Sequence, residues 1–212
     1  MAEIDNNINE IHISRNNLLK QLKAAGYNIN PYENTTLNEV YYMNMHDDLD
    51  FKVNSINDST NTIHIKYNIG KPLKANTIQS ITSEMFKYDE FDPTKNIIVI
   101  LIDSEPNSTI CDVVKQIYAE ESIYIVLYNI KRLLFNIQEH TMVPKHSILS
   151  KENENVFFSK YSITEPASEL PTISRFDPVA LSIFIKPKQI CEIDRASINS
   201  IQGKYYRFCV NY

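Results

Sequence analysis

Glycine is scarce. Only Gly26, Gly70 and Gly203 occur in 212 residues, and each stands alone. A phosphate-cradling loop or a dinucleotide-binding turn needs clustered glycines, so both are excluded. Tryptophan is absent and cysteine is rare. Cys111, Cys191 and Cys209 are widely spaced and never form a CxxC pair. That excludes a disulfide framework, argues against structural zinc, and suits free thiols in a reducing compartment. No apolar run is long enough to cross a bilayer. The start, Met1-Ala2-Glu3-Ile4-Asp5, lacks the basic and apolar regions of a signal peptide. What remains is ordinary globular composition, 43% hydrophobic and 22% charged. A chain of 212 residues can bury one ordinary core or two small ones.

The formal net charge is -5, unevenly spread. Residues before Pro144 carry 12 basic and 19 acidic side chains, and the rest carry 9 and 7. Neither half is basic enough to hold nucleic acid by its own field. Asn and Ile together make about a quarter of the chain, and Lys outnumbers Arg about three to one. Such usage points to an AT-rich genome.

Periodicity predicts the elements. Ile11, Leu18, Leu19 and Leu22 predict a helix over Ile8–Ala25, stopped by Gly26. A second helix is expected over Asn34–Asp47, capped by Thr35 or Thr36, with Leu37, Val40, Tyr41 and Met45 as its apolar stripe. Leu49–Ile56 and Thr62–Ile69 alternate and predict a hairpin. A third helix is expected over Asn76–Lys87, with Ile78, Ile81, Met85 and Phe86 inward. The β-branched run 96–102 predicts a strand buried on both faces. A helix over Thr109–Ala119 follows, entered through Pro106 and Ser108, then strands over Ile123–Leu127 and Leu133–Ile137. Strand, helix, strand at this spacing predicts a βαβ unit. After Glu139 the pattern changes. A strand is expected over His146–Leu149, helices over Lys151–Lys160 and Asp177–Ile183, and strands over Gln189–Asp194 and Lys204–Val210. Pro166 and Pro171 punctuate a loop. The expected fold class is an α/β N-terminal domain with a mixed central sheet (1–139), followed by a small α+β C-terminal domain (140–212).

No catalytic constellation emerges from the residues. His140 and His146 would need further ligands to hold a metal, and none is evident, so local hydrogen bonding is their reading. Cys111 begins a helix but has no base beside it. Cys191 and Cys209 fall in strands, as small core residues. One enzymatic alternative is a metal-dependent nuclease. Asp50-Phe51-Lys52 has an acid-x-Lys triplet near Asp47 and Asp48, but His64-Ile65-Lys66 on the following strand lacks the needed acid. The competing reading is a solvated hairpin face. The acidic clusters 47–50 and 88–92 read as solvated loops. Lys186, Lys188, Arg195, Lys204 and Arg207 suit an acidic partner surface.

The segment His140-Thr141-Met142-Val143-Pro144-Lys145-His146 carries the pattern H-x-x-V-P-x-H, continues apolar, and has an acid, Glu152, after Leu149. Leu170-Pro171-Thr172-Ile173 precedes Asp177-Pro178-Val179-Ala180, Ile185-Lys186 and Gln189. Arg195, Ser197 and Gly203-Lys204-Tyr205-Tyr206-Arg207 complete the set. This order resembles the C-terminal domain of the fifth subunit shared by the three eukaryotic nuclear RNA polymerases. The archaeal counterpart of that subunit consists of this domain alone. Gly26-Tyr27, Gly70-Lys71-Pro72, the run from Ile97 to Leu101 and Pro106 extend the resemblance upstream. With the Asn/Ile bias, a divergent large-DNA-virus member is the expected source.

The resemblance implies a non-catalytic subunit of a DNA-directed RNA polymerase, without cofactor or metal. Its C-terminal domain would dock on the largest subunit, its N-terminal domain would lie near downstream DNA with weak contact, and it would touch no membrane. Localisation would be the nucleus if cellular, or a virion or cytoplasmic viral factory if viral. The carried-over residues are Pro144, His146, Asp177, Pro178, Arg195, Tyr205 and Arg207. Pro144 would fix the domain junction, Asp177-Pro178 would cap and start a helix, and the arginines would grip carboxylates. A free-standing interaction module is the other reading. Four family positions depart: Phe176, Phe184 and Lys188 stand where glycine is usual, Ala196 where proline is. A short insertion precedes Gly203. Glycine supplies positive φ at little cost, so these replacements bear on turn geometry.

Overall fold

The computed structural model describes residues 2–86, 91–195 and 203–212, with side chains from Asn7 onward. The expected end of the third helix at Lys87, Tyr88-Asp89-Glu90 of the second acidic cluster, Ala196, Ser197 and the insertion before Gly203 lie outside the described residues. The chain divides into two compact units, Met1–Asn136 and Ile137–Tyr212. The 3₁₀ turn Ile137–Glu139 belongs to the second unit, three residues earlier than the sequence places the boundary. Gln138 ties it there, donating through Nε2 to the Ser182 carbonyl at 2.8 Å.

In the first unit α1 (Ala2–Ala24) starts earlier than its apolar spacing predicts. It buries Ile8, Ile11, Leu18, Leu19 and Leu22. Gly26 ends it at φ 86°, and Tyr27 N–H closes back on Leu22 O at 3.0 Å. Helix α2 (Leu37–Met45) has Thr36 as cap: Glu39 N–H donates to Thr36 Oγ1 at 3.3 Å and Thr36 N–H to Glu39 Oε2 at 2.7 Å. Only Val40 of its predicted stripe is buried. Leu37, Tyr41 and Met45 face outward, because a nine-residue helix resting on α1 offers one narrow line of contact.

Strands β1 (Phe51–Asn54) and β2 (Thr62–Asn68) form the expected antiparallel hairpin. β2, β3 (Ile97–Ile102) and β4 (Tyr124–Asn129) run parallel, giving the order β1-β2-β3-β4. Every residue of β3 and β4 is buried, as a continuous apolar strand requires when helices cover both faces. Helices α3 (Ala75–Met85) and α4 (Ser108–Glu121) cover one face through Ile78, Met85, Ile110, Val114 and Ile117. Phe86 lies past the end of α3 and is exposed, against expectation. The cap of α4 is Asn107, whose side chain accepts from Ile110 N–H. On the other face Tyr128 donates to Gln21 of α1 at 3.2 Å.

The strand expected over Leu133–Ile137 does not form. The Asn129 side chain accepts from Lys131 N–H at 2.9 Å and turns the chain into the 3₁₀ turn Ile130–Leu133. Asn17 of α1 then takes the Leu133 carbonyl at 2.8 Å, leaving it unavailable to a sheet.

The second unit holds β5 (Lys145–Ile148), α5 (Lys151–Tyr161), α6 (Pro166–Glu169), β6 (Thr172–Ser174), α7 (Pro178–Ser182), β7 (Ile190–Arg195) and β8 (Gly203–Val210). The sheet order is β5-β7-β8-β6, antiparallel except for β6 beside β8. Sequence reading leaves β6 as loop, since three residues are too short for an alternation signal. Ile173, Ala180, Ile185, Cys191, Ile193 and Cys209 form the core on one face. On the other, Phe157 of α5 stacks against Tyr206 at 4.3 Å between ring centroids.

Candidate functional site

Strand register assembles the site. His146 lies opposite Ile193, and Ile193 opposite Tyr205. Side chains alternate along a strand, so Arg195, two residues past Ile193, and Arg207, two past Tyr205, share that face. These residues line one groove of about 870 Å³, together with Asp194, Pro171, Ile173 and the start of α7. Six of the seven carried-over residues line it: Pro144, His146, Asp177, Arg195, Tyr205 and Arg207. Pro178 is the first residue of α7, beside Asp177.

Local chemistry fixes each group. The Asp177 side chain accepts from Val179 N–H at 2.9 Å and Ala180 N–H at 3.3 Å, capping α7 as expected. Pro144 lies inside the second unit at the entrance to β5, so it does not mark the junction. The His146 ring meets the Pro144 carbonyl through Nδ1 at 2.7 Å. A carbonyl only accepts, so Nδ1 carries the proton of that bond and Nε2 is the ring nitrogen left for another partner. Arg195 lies over the Tyr205 ring, 5.8 Å from its centroid, and forms no ion pair among the described residues. Among the described residues Arg207 donates only a long bond to Thr172 O, 3.4 Å. Two arginines and two carboxylates, Asp177 and Asp194, thus line the groove, and Asp177 already serves its helix. Met142 at the rim is 82% exposed. Sequence reading passed over Met142 and Ile193 as site residues. The signal was their period: each is two or four residues from a named position.

The cysteines behind the groove are inert. Burial pushes the Cys191 thiol up to about 11, against the pull of Arg207, and the Cys209 thiol up to about 12. His140 accepts from Met142 N–H through Nδ1 at 3.2 Å. No group of three or more His, Cys, Asp or Glu among the described residues could hold a metal. In the first unit, both Asp50 oxygens are engaged: Tyr67 N–H lies 2.8 Å from Oδ1 and Lys66 Nζ 2.9 Å from Oδ2. Asp50 is thus committed to groups of its own hairpin.

Residues 135–209 match the family model described as RNA polymerase Rpb5, C-terminal domain, and every groove residue lies within them. The RNA polymerase subunit Rpo5 of Pyrococcus horikoshii is 43% identical over 76 residues, 36% of this chain and 90% of that protein. The chain belongs to the Rpb5 family. Rpo5 of Archaeoglobus fulgidus is 37% identical over 76 residues, 36% of this chain and 97% of its own length. The likeness also runs beyond the C-terminal unit. The subunit rpabc1 of RNA polymerases I, II and III in Dictyostelium discoideum is 26% identical over 207 residues, 96% of this chain and 98% of that one. Two of the positions where the resemblance implies glycine have left-handed backbone: Phe184 has φ 55° and Lys188 φ 74°. Phe176 is not left-handed.

Proposed function

We propose that this chain is a non-catalytic subunit of a multisubunit DNA-directed RNA polymerase whose C-terminal unit docks on the largest subunit through the groove. The observation that carries the reading is the groove itself. Residues singled out because they resemble one family, scattered from position 144 to 207, converge on one surface. None of them forms a catalytic pair. Their free valences include two guanidinium groups, which suit carboxylates and carbonyls of a protein partner. The subunit acts where its polymerase acts: the nucleus for a cellular enzyme, a virion or cytoplasmic factory for a viral one.

Purified largest subunit should retain residues 137–212. Arg195→Glu or Arg207→Glu should weaken retention by about 2–5 kcal/mol if the residue meets a carboxylate buried on binding. Failure of the unmutated segment to bind would remove the docking role.

The N-terminal unit would lie near downstream DNA, a placement that rests on the family resemblance. Exposed Lys71 and Lys74, on the turn between β2 and α3, are the groups that would reach phosphate. Crosslinking in an elongation complex that never reaches this unit would refute it.

A further inference from the structure

The hairpin that carries Asp50-Phe51-Lys52 floors a second cleft, of about 560 Å³, in the first unit. Its size falls in the range of small-molecule sites. Phe51, Val53, Ile63 and Ile65 point to the opposite, buried face of the hairpin. Lys52, Asn54, Thr62, His64 and Lys66 therefore share the cleft face, and Lys52 pairs with His64 across the strands. Phe91 walls one side, 5.8 Å from the His64 ring and 5.7 Å from the Phe86 ring.

The polar groups here are not satisfied internally. Lys52 Nζ has no ion pair among the described residues, whereas Lys66 is held by Asp50 at 2.9 Å. Asn96 is 1% exposed yet lines the cleft. Its Oδ1 accepts from Thr62 N–H at 3.2 Å, so the amide nitrogen is the other end, and no described residue accepts from it. Nδ2 keeps contact with the cleft, where an acceptor from outside can meet it. Asn54 Oδ1 likewise accepts from Thr62 Oγ1 at 3.3 Å, leaving its amide nitrogen to donate. Burial first, then Lys52 and Lys66, lower the His64 pKa, so the ring is neutral at neutral pH and can stack without bringing a further charge.

An unpaired ammonium, open amide donors and a partly apolar aromatic wall lie together. We propose that this cleft binds a nucleoside phosphate without cleaving it. The phosphate meets Lys52, the acceptor edge of the base meets Asn96 and Asn54, and the base plane packs on Phe91 and His64. Among the described lining residues Asp50 is the one carboxylate, and both its oxygens are occupied, so the proposal is one of binding alone. The ligand is either a free nucleotide or a unit of a single strand. The inference is independent of the polymerase reading.

The test titrates the full chain with uridine and adenosine monophosphates, with a short 5′-phosphorylated single-stranded oligonucleotide, and with inorganic phosphate. Binding is read by amide chemical shifts in NMR. Saturable shifts confined to β1, β2 and residues near Phe91 are expected, with inorganic phosphate at least about tenfold weaker. Lys52 is exposed, so Lys52→Glu should keep the fold while weakening binding about tenfold or more. Phe91→Ala should weaken the nucleotides and leave inorganic phosphate unchanged. Equal affinity for monophosphate and oligonucleotide supports a free nucleotide; binding by the oligonucleotide alone supports a strand. Absence of shifts with either at about 10 mM overturns the proposal, as does binding unaffected by Lys52→Glu.

Discussion

Lys188 and Phe184 hold backbone conformations that cost an L-residue about 1–2 kcal/mol, and they do so for different reasons. Lys188 N–H donates to Cys209 O at 2.8 Å, so the turn is needed to close the sheet and the side chain adds little. Lys188→Gly should therefore stabilise the second unit by about 0.5–1 kcal/mol in urea denaturation, the relief of strain less the added entropy of the unfolded glycine. Phe184 is 3% exposed, so its glycine variant should lose more in packing than it gains in strain, and unfold earlier. In the first unit Arg15 is 1% exposed. Its guanidinium sits 4.2 Å from the Phe51 ring centroid and donates to Leu49 O at 2.9 Å, while Nε has no partner. Arg15→Ala should cost about 2–4 kcal/mol, from a cavity and an orphaned carbonyl. Arg15→Met fills the space and spares the desolvation of a charge, so it should cost less. Equal losses in Arg15→Met and Arg15→Ala would show that the contacts both variants lack, the cation–π contact and the hydrogen bond to Leu49 O, outweigh the cavity.

At the scale of elements, caps decide ends. Thr36→Ala should lower stability by about 1 kcal/mol in thermal unfolding, because α2 is short and has little other anchorage. The bonds from Thr36 hold the Glu39 carboxyl below 4.5, backbone first and side chain second. A depressed carboxylate contributes stability above its unfolded value, lost as pH falls through the folded one. NMR titration should place Glu39 below the ordinary glutamate range in the native chain and only partly relieved in Thr36→Ala, whose backbone N–H still donates. Elements with a strong local signal were legible: β3 from its continuous β-branched run, α4 from Pro106 and Ser108 at its start, the hairpin from alternation. What failed was decided by neighbours. Leu133–Ile137 has strand residues, but Asn129 turns the chain and Asn17 captures its carbonyl. Strand β6 exists because Ile173 lies beside Cys209 of β8, a pairing no local pattern signals.

For the whole molecule, the second unit corresponds in extent to archaeal relatives of which this chain covers 90% or more in a 76-residue match. Residues 137–212 should therefore fold alone, with one cooperative transition by circular dichroism. In that native fragment Cys191 and Cys209 should resist alkylation near pH 8, since burial holds both thiols well above that range. Reaction at the rate of an unfolded control would refute the packed core. The sequence by itself determined the class of this protein: scarce glycine and few cysteines removed whole chemistries, and the period of apolar residues set most elements. Its ordered motifs resembled one family before any geometry was known. Only the tertiary structure decided that six of those motif residues form one groove, and that Asp50 is spent on Lys66 and Tyr67. Contacts across strands depend on register and hydrogen-bond partners distant in the chain, which residue spacing does not encode.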